Sequence, residues 1–92
     1  MNDELNAQLL RTAERLRIVS VAQLERGDRI QNARDLITSM ATYVRPEANV
    51  PALAINALGD QLAVVGKEFA ATASHEDAVA MIEKLREFRL SL

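Results

Sequence analysis

Apolar residues recur every three or four positions along most of this chain, and polar residues fill the positions between them. Near the N-terminus the apolar stripe comprises Leu5, Leu9, Ala13, Leu16 and Val19, at spacings of 4, 4, 3 and 3 residues. This period brings the side chains to one side of an α-helix. Comparable stripes lie within residues 30–44, 50–70 and 78–88. The pattern therefore predicts an all-α protein built from four amphipathic helices.

The stretch from Val50 to Phe69 carries the widest apolar surface. Its large and its small apolar residues form two adjacent faces. The large face comprises Ile55, Leu58, Leu62, Val65 and Phe69, and the small face comprises Gly59, Ala63, Gly66 and Ala70. Together the faces cover an arc of about 160°, against roughly 100° for an ordinary surface helix. We therefore expect a helix that starts at Asn49 or Val50, carries Pro51 in its first turn, and packs against two neighbours at the centre of the core.

Turn signals separate these helices. Gly27 favours the left-handed conformation that ends a helix, and Asp28 followed by Gln31 has the spacing of a capping box. Pro46 ends the second helix because it cannot continue the hydrogen-bond ladder. Ser74 has a hydroxyl group that can cap the last helix. The first helix is thus expected to run from about Asn2 or Asp3 to Gly27.

The connections between these helices are short, which favours antiparallel neighbours. The sequence therefore predicts a small antiparallel four-helix bundle with an up-down-up-down order, formed as a single helical domain over residues 1–92. An unbroken helix through Gly27 costs only about 1 kcal/mol, so a three-helix variant in which helices 1 and 2 are continuous is the alternative.

The composition narrows the classes of function. The chain has no cysteine, which excludes disulfides, thiolate nucleophiles and cysteine-ligated zinc. Its first residues are acidic and polar rather than basic and apolar, so we expect no secretory signal. Asn56, Asp60 and Gln61 interrupt the most apolar window, so we also expect no membrane span. These features favour a cytoplasmic protein.

The only cluster that resembles a reactive site surrounds the single histidine, His75, which follows Ser74 and precedes Glu76 and Asp77. Successive residues on a helix point about 100° apart, so these side chains cannot converge on a metal ion or form a nucleophile with its base. The three glycines are isolated, so they form no phosphate-binding loop. We expect no catalytic residues, metal site, cofactor or small-molecule substrate, and therefore no enzyme activity.

Some large aliphatic residues lie off the core stripes. Those on the first and third predicted helices are Leu10, Ile18, Val21, Leu24, Leu53 and Val64. One interpretation is that the end of the first helix is buried between two others in the bundle. The other is that these residues bind a partner protein or a second copy of the chain. The second predicts an interaction module, such as an adaptor, inhibitor, chaperone or assembly factor, and a homodimer.

Nucleic-acid binding is the alternative function. The segment around Gly27 reads as a helix, a short turn and a second helix. Five of its residues have side chains of the kinds that contact bases and phosphates from a recognition helix: Arg26, Arg29, Gln31, Asn32 and Arg34. Residues 11 to 45 contain seven arginines and four acidic residues, but the whole chain has a net charge of -2. This overall charge weakens the attraction to phosphates and favours the protein-binding alternative.

Overall fold

The structure, a computed structural model, describes residues 2–92. It contains five α-helices and one 3-10 turn, and no strand within those residues. The helices are α1 (Asp3–Ile18), α2 (Val21–Leu24), α3 (Arg29–Val44), α4 (Leu58–Thr72) and α5 (His75–Ser91), and the 3-10 turn is Ile55–Ala57. The four long helices pack as a small bundle, because each buries one apolar stripe, as the spacing of apolar residues predicts. The predicted all-α bundle is confirmed.

Helix α4 packs against both α1 and α3, which confirms the two neighbours expected from its wide apolar arc. Its small residues lie against α1. A Cβ atom added to Gly59 would lie 2.7 Å from the carbonyl oxygen of Ala13, and one added to Gly66 would lie 2.6 Å from Leu9 Cδ2. Glycine at these positions lets the two antiparallel helices approach closely. On the adjacent face, Leu62 is completely buried in the core.

Helices α3 and α4 run in the same direction. Thr38 and Gln61 line one depression, and further along both helices the rings of Tyr43 and Phe69 meet edge to face, 5.0 Å apart. Since α3 ends where α4 also ends, the chain must return along the bundle before α4 can start. Residues 45–54 make this return without helical structure.

Because of this return, the third predicted helix starts later than expected. The helix was expected from Asn49 or Val50, but α4 begins at Leu58 after the 3-10 turn. The preceding backbone is held by side chains instead, because Arg34 Nη2 donates to the Leu53 carbonyl at 2.9 Å and Gln61 Nε2 donates to the Pro51 carbonyl at 3.0 Å. The connection is therefore longer than the predicted one. The predicted up-down-up-down order is wrong, because α3 and α4 are parallel and do not form the antiparallel hairpin that a short loop favours.

The first predicted helix is also interrupted. Helix α1 ends at Ile18, Val19 and Ser20 have extended backbone angles, and the Ser20 hydroxyl accepts a hydrogen bond from Gln23 N at 3.2 Å. Ser20 thus caps a new single-turn helix, α2, that takes a different direction. The new direction carries Leu24 into the core, where its side chain is only 2% exposed. The prediction that Leu24 forms part of an exposed surface was therefore wrong.

The turn at Gly27 agrees with the sequence. Gly27 has a φ of +61°, so it adopts the left-handed conformation, and α3 starts two residues later. Helices 1 and 2 of the sequence prediction are therefore separate. The expected capping box is not formed, because the Asp28 side chain makes no cap hydrogen bond and Gln31 donates to Asp35.

The last helix begins as expected. Ser74 accepts a hydrogen bond from Asp77 N at 3.1 Å and caps α5. Four residues of its apolar stripe are buried: Ala78, Met81, Leu85 and Phe88. Helix α5 runs antiparallel to α3 and closes the bundle between α3 and α1, on the side opposite α4.

Candidate functional site

The outer face of the α1 and α4 pair exposes two large aliphatic side chains. Leu10 on α1 is 58% exposed, and Val64 on α4 is 63% exposed. Leu10 lines a shallow depression of about 120 Å³ together with Ala63 and Lys67, so it lies beside the α4 segment that carries Val64. We call the surface centred on Leu10 and Val64 the α1–α4 face.

Charged residues of both signs border the α1–α4 face. At one end, Arg17 Nη2 lies 2.8 Å from Asp60 Oδ1 in an exposed ion pair. At the other end, Asp3 and Lys67 line the same open groove. On each helix, therefore, one aliphatic residue lies between an acidic and a basic residue, in the order Asp3, Leu10, Arg17 on α1 and Asp60, Val64, Lys67 on α4.

The other predicted interaction residues do not join this face. Ile18 follows Leu10 by eight residues, which turns it about 80° further from α4, and its side chain is exposed. Val21 is exposed on α2, beyond the break in the chain. Leu53 lies in the 45–54 connection on the α3 side of α4, where its carbonyl accepts from Arg34. Of the predicted set, only Leu10 lies beside a helix segment that carries another member, Val64 on α4.

Two exposed aliphatic residues were missed in the sequence. Val79 and Leu90 lie on α5, and both point away from its core stripe. Val79 directly follows Ala78 and Leu90 lies two residues beyond Phe88. Both offsets turn a side chain away from the stripe, and this signal could have identified them. They lie on a different helix from the α1–α4 face, which makes them suitable control positions for experiments on it.

Most of the candidate nucleic-acid-binding residues make contacts within the chain. Arg29 donates to the carbonyl groups of Ser91 and Gln23, at 2.8 and 2.7 Å, and Arg34 holds Leu53 as described above. Gln31 donates to Asp35, as noted above. Arg26 and Asn32 remain exposed and line a shallow depression of about 290 Å³. Since α2 is a single turn, the segment also lacks the multi-turn first helix of a helix-turn-helix motif.

A polar network that the sequence did not reveal lies between α1 and α5. Arg89 donates to Thr12 Oγ1 at 3.0 Å and to the side-chain oxygen of Gln8, and both acceptor residues are buried. Gln8 in turn donates to Glu4 at 2.9 Å. Partial burial is the main cause that lowers the pKa of Arg89. The positive charges of the neighbouring Arg11 and Arg86 lower it further. Nothing local in the sequence shows which helix faces Arg89, so only the structure reveals this network.

The cluster around His75 is a helix start, as its sequence indicates. Tyr43 donates from α3 to Asp77 Oδ2 at 2.7 Å, and Ser74 Oγ donates to the same oxygen at 2.9 Å. These two hydrogen bonds, that of Tyr43 first, lower the pKa of Asp77. His75 is exposed and lines an open groove of about 820 Å³. The arrangement joins the start of α5 to the end of α3.

Within residues 2–92, no group of three histidine, aspartate or glutamate side chains is placed to hold a metal ion. None of the helices described above has both the length and the apolar character needed to cross a membrane. Comparisons of this chain with protein-family models, with curated proteins and with solved structures give no match.

Proposed function

We propose that this chain is a non-enzymatic protein-interaction module that binds through the α1–α4 face, as an adaptor, inhibitor, chaperone or assembly factor of the cytoplasm. The observation that supports this function is the exposure of Leu10 beside the α4 segment that carries the exposed Val64. Apolar groups that are bordered by charges can bury their surface against a partner, while the charges at the rim set the orientation.

The way α1 and α4 pack supports a binding role for this face. Gly59 and Gly66 bring the two helices together, and the side chains of Arg17 and Leu9 lie over them. The result is a shallow two-helix surface rather than a deep pocket, and the depression beside Leu10 has a volume of only about 120 Å³. A surface of this shape suits a protein partner better than a small molecule, whose sites are typically deeper than this.

Affinity capture with paired variants tests the proposal. The tagged chain is used to capture proteins from its native lysate at low and at high salt, in parallel with the double variant Leu10→Ser/Val64→Ser. We expect the unaltered chain to retain a protein through high salt, because an apolar contact is not screened, and we expect the double variant to lose it. The absorbance at 260 nm and the masses of the retained proteins identify what is bound.

The matched control is Val79→Ser/Leu90→Ser, which removes two exposed aliphatic residues from α5. This control is expected to retain the partner, and circular dichroism is expected to show equal helix content in all three proteins. Equal capture by the two double variants would overturn the proposed face. Retention of nucleic acid at low salt and its release at high salt would overturn the proposed function and favour the segment around Gly27.

A further inference from the structure

We propose that the partner of the α1–α4 face is a second copy of this chain, bound about a two-fold axis that pairs α1 with α1 and α4 with α4 in antiparallel orientation. This inference rests on the proposed function and adds the identity and the register of the partner. It follows from the order of charges along the two helices of the face.

On α1 the charges are placed symmetrically about Leu10. Asp3 precedes Leu10 by seven residues and Arg17 follows it by seven, two helical turns in each direction and close to the same side of the helix. When two copies of α1 pack antiparallel and cross at Leu10, Asp3 of each copy faces Arg17 of the other. The same contact thus occurs twice, as a two-fold interface requires.

On α4 the charges are placed in the same way about Val64. Asp60 precedes it by four residues and Lys67 follows it by three, so the antiparallel contact brings Asp60 of one copy opposite Lys67 of the other. Leu10 lines a depression with Ala63 and Lys67, so Leu10 and Val64 lie at the same level of the bundle. One axis therefore serves both helices. The contacts between copies, Asp3 with Arg17 and Asp60 with Lys67, extend the ion pair that Arg17 and Asp60 form within each copy.

The size of the face indicates a reversible dimer. From residue 3 to residue 17 a helix is about 21 Å long, and two helices side by side are about 20 Å wide. Such a footprint covers about 420 Å² of each copy, less than the roughly 600 Å² per partner of the smallest stable interfaces. A weak dimer that dissociates in the micromolar range is therefore expected, and the mass has to be measured up to about 100 μM chain.

Cysteine cross-linking tests which residues meet at the axis. The chain has no cysteine, so a single introduced one has no competing thiol. Under mild oxidation Leu10→Cys is expected to form a disulfide-linked dimer, because antiparallel helices that cross at this residue bring the two sulfur atoms within bonding range. Val79→Cys on α5 is the matched control and is expected to stay largely monomeric on a denaturing gel.

Charge reversal tests the register. Lys67→Asp places a carboxylate opposite Asp60 of the other copy, and Asp60→Lys places an ammonium group opposite Lys67. The dissociation constant of the dimer is therefore expected to rise at least about tenfold for each variant alone. An equimolar mixture of the two variants is expected to recover dimers, because both contacts are again attractive. Lys84→Asp on α5 serves as the control, with no expected change.

The proposal stands if sedimentation shows a dimer, Leu10→Cys cross-links and the mixture of variants recovers dimers. A monomer at 100 μM chain overturns it, as does a dimer that cross-links equally well through Val79→Cys. Cross-linking that needs Leu10→Cys mixed with Val64→Cys overturns it too, since it shows α1 paired with α4. In each of these cases, capture of a different protein that is lost in Leu10→Ser/Val64→Ser leaves the proposed function in place.

Discussion

Helix α1 packs on one side against α4 and on the other against α5, and these two contacts are of different kinds. Against α4, small residues let the backbones approach, with Gly59 next to the carbonyl group of Ala13. Against α5, the buried polar side chains of Gln8 and Thr12 accept hydrogen bonds from Arg89. The first contact depends on shape. The second depends on hydrogen bonds that hold only at one register of the two helices.

Hydrogen bonds also position the other end of α5, where the helix begins. There the Asp77 carboxylate accepts hydrogen bonds from Tyr43 of α3 and from Ser74. Polar contacts thus position α5 near both of its ends.

Helix α4 also makes polar contacts near both of its ends, since Arg17 donates to Asp60 at 2.9 Å and Asn2 donates to the Ala70 carbonyl at 2.7 Å. Between these contacts, however, its glycines set how closely α4 approaches α1. The difference teaches that two properties of α1 are fixed by different means. Hydrogen bonds to Arg89 fix its register against α5, and the absence of side chains at Gly59 and Gly66 fixes its distance from α4.

The largest expected effect comes from breaking the shape-dependent contact. Gly59→Ala places a methyl group 2.7 Å from the backbone oxygen of Ala13, which cannot move unless the helices separate. We expect the free energy of unfolding to fall by about 2 kcal/mol, measured by urea denaturation. Gly66→Ala is the matched control, since its methyl group meets the flexible end of Leu9 and alanine favours the helix. Equal losses for the two variants would contradict this account.

A smaller effect is expected from breaking the polar contact. Arg89→Met keeps much of the apolar length of the side chain but leaves the Gln8 oxygen without its donor. We expect the free energy of unfolding to fall by about 1 kcal/mol, because removing a partly buried charge offsets part of the lost hydrogen bonding. Arg86→Met, on the exposed side of the same helix, is expected to change the stability much less. If Arg89→Met proved as harmless as Arg86→Met, the network would not contribute to stability.

The smallest expected effect is a change in how the free energy of unfolding depends on pH. Hydrogen bonds lower the pKa of Asp77 in the folded chain, so its carboxylate contributes stability that is present above the unfolded value of about 4 and is lost as the pH falls through the folded value. Tyr43→Phe removes one of these hydrogen bonds and keeps the ring. We therefore expect the stability difference between the unaltered chain and Tyr43→Phe to be constant near neutral pH and to shrink below about pH 4. A difference that does not change with pH would exclude this role of Asp77.

Several features of the molecule could be predicted because they depend on neighbours along the chain. The spacing of apolar residues identified the stripes of all four long helices, and the row from Gly59 to Ala70 identified close packing on α4. Gly27 and Ser74 marked the turn and the cap that the structure contains. Each of these signals acts over a few residues, so the sequence alone carries it.

Other features could not be read in this way. Ser20 and Gln23 have the spacing of a cap, but they lie inside an apolar repeat that continues the helical pattern, so the break and the burial of Leu24 were missed. The return of residues 45–54 follows from the parallel arrangement of α3 and α4, which no local pattern specifies.

The sequence by itself therefore determined that this chain forms amphipathic helices with one wide central stripe, since helix formation and apolar periodicity are local. Only the tertiary structure decided which aliphatic residues outside the stripes are exposed. Leu10 and Leu24 are equivalent in the sequence pattern, and one is at the surface while the other is in the core. The physical reason is that burial depends on which helices become neighbours, and that depends on contacts between residues far apart in the chain.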